Sequence, residues 1–189
     1  MKKNRRPDGD WSVLIIAFII CAIVLGALMI MKYEERHRKP VAPSQVQQQG
    51  TMLVALFFAS PDGVALVREG REIDACGELN ECVEEVVGEL INGPMGNLTP
   101  ALPSATTLHG VSIQGDNAII DLGGEIVNGL PGGSNSEMLA VYSIVNTVAV
   151  NFPKIRLVKL TINGMETDTL KGHLDLREPL EPDYTLESK

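Results

Sequence analysis

The sequence predicts an α+β body behind an apolar amino-terminal helix, and three observations carry that reading. Short apolar or alternating runs pair around Pro, Gly, Asn and Asp; two segments place apolar residues at helical spacing; and residues 11–31 carry no charge. The body order is strand, strand, helix, strand, strand, helix, strand. It suits a mainly antiparallel sheet with two helices on one face around a shared core.

The chain has 189 residues, enough for one ordinary domain and a short extra segment. Residues 1–50 hold eight basic and four acidic residues, and residues 51–189 hold eight basic and twenty acidic ones, so the balances are +4 and −12. A body that acidic repels phosphate backbones, and nucleic acid is not an expected partner.

Residues 1–10 are expected to be a short cytoplasmic tail, and residues 11–31 a membrane-spanning helix and thus the contact with the membrane. An uninterrupted run of this length reaches across roughly 30 Å of hydrocarbon. A cleaved signal peptide would have a shorter apolar core and a small-residue cleavage site. Lipidation at Cys21 would call for a small residue before it, where Ile20 stands. Four basic residues on each side leave orientation undecided by charge. Residues 32–50, with Pro40, Pro43 and several glutamines, read as a juxtamembrane linker, and residues 181–189 as a flexible tail.

Within the body, Met52–Phe58 and Val64–Ile73 read as a hairpin around Ser60-Pro61-Asp62-Gly63. Leu79, Val83, Val86, Val87 and Leu90 form one helical face, and Gly93-Pro94 stops the helix. A surface loop follows. Leu108–Gln114 and Ala118–Leu122 make a second hairpin around Gly115-Asp116-Asn117. Ser134 and Glu137 have the spacing of a capping box, and Met138, Val141, Ile144, Val145 and Val148 continue that helix to Phe152-Pro153. Ile155–Ile162 is the last strand, ending at Asn163-Gly164.

Cys76 and Cys82, with five residues between them, fit a small loop-closing disulfide, which would place residues 32–189 in an oxidising compartment. Two unrelated reduced cysteines are the competing reading. His37, His109 and His173 stand apart from other metal-ligand residues, so no metal site and no cofactor is expected. No nucleophile elbow or phosphate-cradling glycine motif is present, and Gly123-Gly124 and Gly132-Gly133 read as turns. Asp121, at a strand end, is the carboxylate whose position hints at a site.

Leu90-Ile-Asn-Gly93-Pro94, then Leu102-Pro103 through Thr107-Leu108-His-Gly110-Val111, then Asn117-Ala-Ile-Ile-Asp121-Leu122 form an ordered series. Gly133-Ser134-x-x-Glu137, Val145-Asn146-Thr147, Asn163-Gly164 and Leu170-Lys-Gly172-His173 continue it. Over residues 51–180 this resembles the GerMN domain of sporulation and spore-germination proteins of the GerM type. The resemblance implies a fold like the ring-building motif and a noncatalytic role in envelope assembly, outside the cytoplasmic membrane. It marks Gly93, Pro94, Pro103, Thr107, Leu108, Gly110, Asp121, Gly133, Ser134, Glu137, Thr147, Gly164, Gly172 and His173 as family-motif positions of structural weight. The expected partners are envelope proteins or further copies of the chain. Peptidoglycan binding beside a wall hydrolase, or sensing of an ion or small ligand, are the alternatives.

Overall fold

The computed structural model describes residues 10–37 and 50–188, and the chain divides into two compact units, Met1–Gln47 and Gln48–Lys189. The expected tail over residues 1–9 and most of the expected linker, residues 38–49, lie outside the described residues.

In the first unit, helix α1 covers Asp10–His37, so the start of the expected linker is helical. Its side chains from Phe18 to Met29 are all exposed. Among the described residues no helix is long and apolar enough to cross a membrane, so the expected span over residues 11–31 finds no support there.

The second unit is α+β, but it has two sheets rather than one. Strands β1 (Thr51–Ala59) and β2 (Leu66–Asp74) form an antiparallel pair. Helix α2 (Leu79–Asn92) follows. Strands β3 (Leu108–Gln114), β4 (Asn117–Leu122), β5 (Leu157–Ile162) and β6 (Met165–Glu166) form the second sheet in that order. Between β4 and β5 lie a short helix α3 (Glu125–Gly129) and the long helix α4 (Ser134–Asn151). β4 and β5 pair in parallel, a departure from the antiparallel expectation. A strand that returns through a helix on one face of its sheet re-enters in the same direction.

Both long helices pack on strands and on each other. Val83, Val86, Val87 and Leu90 of α2 meet Ile144, Val145 and Val148 of α4, Leu56 and Phe58 of β1, and Ile120 and Leu160 of the second sheet in one buried cluster. Phe57, Leu66 and Leu139 form a smaller one. Such burial at about 25 cal/mol per Å² supplies the main folding force.

The expected capping box is not formed. Gly133 is the N-cap, and neither Ser134 nor Glu137 closes a reciprocal side-chain cap. Glu137 instead lies fully buried, and its carboxylate accepts backbone N–H bonds from Leu170 (2.8 Å), Lys171 (3.0 Å) and His173 (2.8 Å). The spacing was that of a cap, but the side chain turns into the loop beyond β6. The expected loose tail is corrected too. Tyr184–Leu186 form a 3₁₀ turn capped by Asp183, and the Ser188 N–H donates to Leu66 C=O at 2.8 Å.

Cys76 and Cys82 are joined by a disulfide across a Cα–Cα distance of 5.3 Å, at the entry to α2. Reducing it should lower unfolding free energy by roughly 2 kcal/mol, the chain-entropy value for so short a loop, readable as an earlier urea midpoint.

Burial alone would raise the Glu137 pKa, but the N–H groups of Lys171, His173, Leu170 and Leu174 outweigh it and hold the carboxyl below its ordinary value of 4.5. The stabilisation is therefore complete above that value and is lost as pH falls through the lowered one. Glu137→Ala, which strands one buried and two part-buried donors, should cost about 2–4 kcal/mol in urea unfolding, and Glu137→Gln about 1–3 kcal/mol. The Gln variant should also lose the acid-limb dependence of stability that the parent shows.

Candidate functional site

The family-motif positions do not converge on one cleft. They fall into local groups, and in each a polar side chain or a glycine fastens one segment of backbone to another.

The largest group lies where β3 begins and β4 and β5 end. The β3–β4 register shifts between Leu108 and Gly110, so His109 is an extra residue without a cross-strand partner. A bulge of this kind re-aims its side chain, and His109 Nδ1 comes 3.4 Å from Asp121 Oδ2. The other carboxylate oxygen of Asp121 accepts the Thr161 hydroxyl at 2.8 Å and the Gly164 N–H at 2.7 Å. Burial raises the Asp121 pKa, while Gly164, Thr161 and His109, which outweigh it, lower it below the usual carboxylate range. Asn163 and Gly164 both have positive φ, 52° and 75°, so the β5–β6 turn is held in a conformation that Gly adopts freely and Asn tolerates.

Thr107 completes the line. Its hydroxyl donates to Glu125 Oε2 at 3.2 Å and lies 3.4 Å from His109 Nε2, while its C=O accepts the Gly123 N–H at 2.9 Å. A Cβ at Gly123 would stand 2.1 Å from both Thr107 Oγ1 and Glu125 Oε2, so a larger residue there would displace both side chains. A carboxylate, an imidazole and a hydroxyl in series have the order of a nucleophilic triad. Here the hydroxyl proton goes to Glu125, and both contacts of the imidazole are longer than the reach of about 2.6–3.2 Å for proton transfer. The arrangement as it stands ties strand ends together.

The remaining motif positions do similar work. Gly93 caps α2 with φ 89°, and its C=O accepts from Arg71 at 2.8 Å. Pro94 follows it, and Pro103 packs close enough to Gly129 that a Cβ there would meet its ring at 2.9 Å. Gly110 sits beside Glu84, which accepts the Val111 N–H at 3.1 Å and so ties α2 to β3. Leu108 packs against the core. Gly133 precedes α4 with φ 119°, and Gly172, with φ 91°, lets the loop fold around Glu137 so that the His173 N–H reaches it. The His173 side chain is exposed.

For two groups the sequence left the contacts unread, although Asn146 and Thr147 of the second stand in the motif series. Arg71, in a strand that reads as half exposed, is 7% exposed and bonded to Glu69 (2.6 Å), Glu89 (2.9 Å) and two backbone carbonyls. Helix α4 also carries an internal polar row. Thr147 Oγ1 accepts the Phe57 N–H at 3.0 Å, the Asn151 amide bonds both N–H and C=O of Ala55, and the Asn146 amide does the same for Asp183. The signal was available in part: three amide or hydroxyl residues stand in an otherwise apolar helix. Among the described residues no three His, Cys, Asp or Glu side chains gather as a metal-ligand set. A groove of about 480 Å³ lined by Ala149, Pro153, Ile155, Leu157, Pro182 and Tyr184 runs past the end of α4.

If Asp121 fastens the β5–β6 turn, Asp121→Asn should cost about 1–2 kcal/mol in stability and raise amide exchange first at Gly164. Unchanged protection at Gly164 would separate Asp121 from the turn.

No curated protein matches the chain. In solved structures, a putative lipoprotein from Clostridium perfringens is 26% identical, with a TM-score of 0.50 over 70% of this chain and 88% of that one. The tandem GerMN domains of the sporulation protein GerM from Bacillus subtilis are 24% identical, with a TM-score of 0.54, and the match spans 70% of this chain and 46% of theirs. The first of those domains alone gives 21% identity and a TM-score of 0.50 over 69% of this chain and 97% of that one. The last two likenesses bear on the fold. Residues 55–168 match the family described as Germane, sporulation and spore germination, and the chain belongs to that family.

Proposed function

We propose that residues 50–188 form a noncatalytic binding module of the cell envelope, kept at the outer side of the membrane by attachment through the amino-terminal segment. The observation that carries this reading is how the motif residues are used. Glu137, Asp121 and Thr147 direct polar atoms to backbone groups of the same body, and the Gly93 carbonyl accepts from the Arg71 guanidinium, which leaves strand edges and outer faces for a partner. The Cys76–Cys82 disulfide supports an oxidising compartment. The likeness to a putative lipoprotein supports membrane attachment, and the exposed apolar side chains of α1, such as Phe18 at 75% and Met29 at 78%, offer a surface suited to lipid.

Photo-crosslinking in intact cells from an exposed position such as Leu53, 79% exposed, should capture a protein partner in the membrane fraction. Absence of any crosslinked protein, together with retention of the protein on purified peptidoglycan, would replace this reading with wall binding.

A further inference from the structure

The two edges of the small β1–β2 sheet are treated differently. The outward backbone groups of β1 are occupied: Ala59 pairs with Thr99, Phe57 with Thr147, and Ala55 with Asn151. On β2 the outward row is Leu66, Arg68, Gly70 and Glu72, the residues opposite Ala59, Phe57, Ala55 and Leu53. Leu66 C=O accepts the Ser188 N–H, and the bridge from Leu66 to Glu187 ends the free edge there. Beyond it, no described residue bonds the outward backbone of Arg68, Gly70 or Glu72.

An open edge is a template for another strand. Its side chains decide which one. The run is Arg68-Glu69-Gly70-Arg71-Glu72, and it is complementary to its own reverse. Laid antiparallel on a second copy with Gly70 opposite Gly70, it sets Arg68 against Glu72, twice by symmetry, while Glu69 and Arg71, also opposite one another, are already bonded to each other within each copy. Opposite charges directly across an antiparallel pair stabilise it, and like charges destabilise it. The same parity makes Gly70 a hydrogen-bonded pair, so both backbones present their free groups in this register. Arg68, Gly70 and Glu72 are exposed.

We propose that the β2 edge pairs with the β2 edge of a second copy of this chain, antiparallel and centred on Gly70, to form a two-fold symmetric dimer. The pairing deepens the reading as a binding module and rests on it.

The test uses the full chain in neutral detergent, with mass followed by light scattering across a concentration series. Arg68→Glu and Glu72→Arg each place like charges across the pair and should weaken self-association about tenfold or more. Mixed together, the two variants restore every opposite pair, and a heterodimer should form at close to the parent affinity. Within its own chain Arg68 bonds Glu187 at 2.9 Å and Glu72 accepts the Thr51 hydroxyl at 2.6 Å, and loss of those local bonds would give no such rescue. In a Cys21→Ser background, Gly70→Cys should give an intermolecular disulfide, because opposed Cα atoms of about 5.5 Å suit the bond. The added Cβ meets only Leu53 at 3.8 Å, so the variant fits its own fold. A dimer that neither charge variant weakens, variants that fail to rescue one another, or a parent that stays monomeric would each overturn the pairing. A monomeric parent that still captures a protein partner in cells would leave the binding module standing and remove only the self-pairing.

Discussion

The buried carboxylate of Glu137 is the constraint on which much of the domain depends. An ionised group removed from water costs several kcal/mol unless hydrogen bonds replace its hydration. Glu137 meets that condition with backbone N–H groups of Leu170, Lys171 and His173, all from one loop. The loop cannot move away without stranding a charge, and the charge cannot be solvated without lifting the loop. The start of α4 and the chain beyond β6 therefore form one unit, though more than thirty residues separate them in sequence.

The same helix fastens two other segments by the same means. Asn146 holds the backbone at Asp183, and Thr147 and Asn151 occupy the outer edge of β1. Side chains of helix α4 thus cover the outer edge of the small sheet, and the same helix is the crossover between β4 and β5. Apolar burial around Ile144, Val145 and Val148 supplies the driving force, and the polar row fixes which segments lie where. Hydrophobic contact is not directional, whereas an amide that must meet both N–H and C=O of one residue has a single solution.

Family membership and the use of its motif residues point the same way. Residues that stand out in the sequence, Asp121 and Glu137 among them, hold strand ends and loops together, so they describe a scaffold. What distinguishes one member from another then lies on its surface. In this chain the asymmetry between the covered β1 edge and the open, self-complementary β2 edge is such a feature.

Elements whose cause is local were readable from the sequence. The helical spacing of Val83, Val86, Val87 and Leu90, the stop at Gly93, the Gly115-Asp116 turn and the Asn163-Gly164 turn are set by side-chain period and backbone sterics within a few residues. The cysteine spacing was readable as fit for a small disulfide-closed loop, and the fold brings the two Cα atoms to 5.3 Å, where the bond forms. Tertiary structure alone decided the rest. The split into two sheets, the parallel β4–β5 pair, the turn of Glu137 away from its own helix start, the burial of Arg71 and the docking of residues 183–188 all depend on groups far apart in the chain meeting across the core. A carboxylate three residues after a serine looks the same in sequence whether it caps its helix or anchors a distant loop. The choice is made by where the unsatisfied N–H groups of the folded chain come to lie, and no local pattern encodes that position.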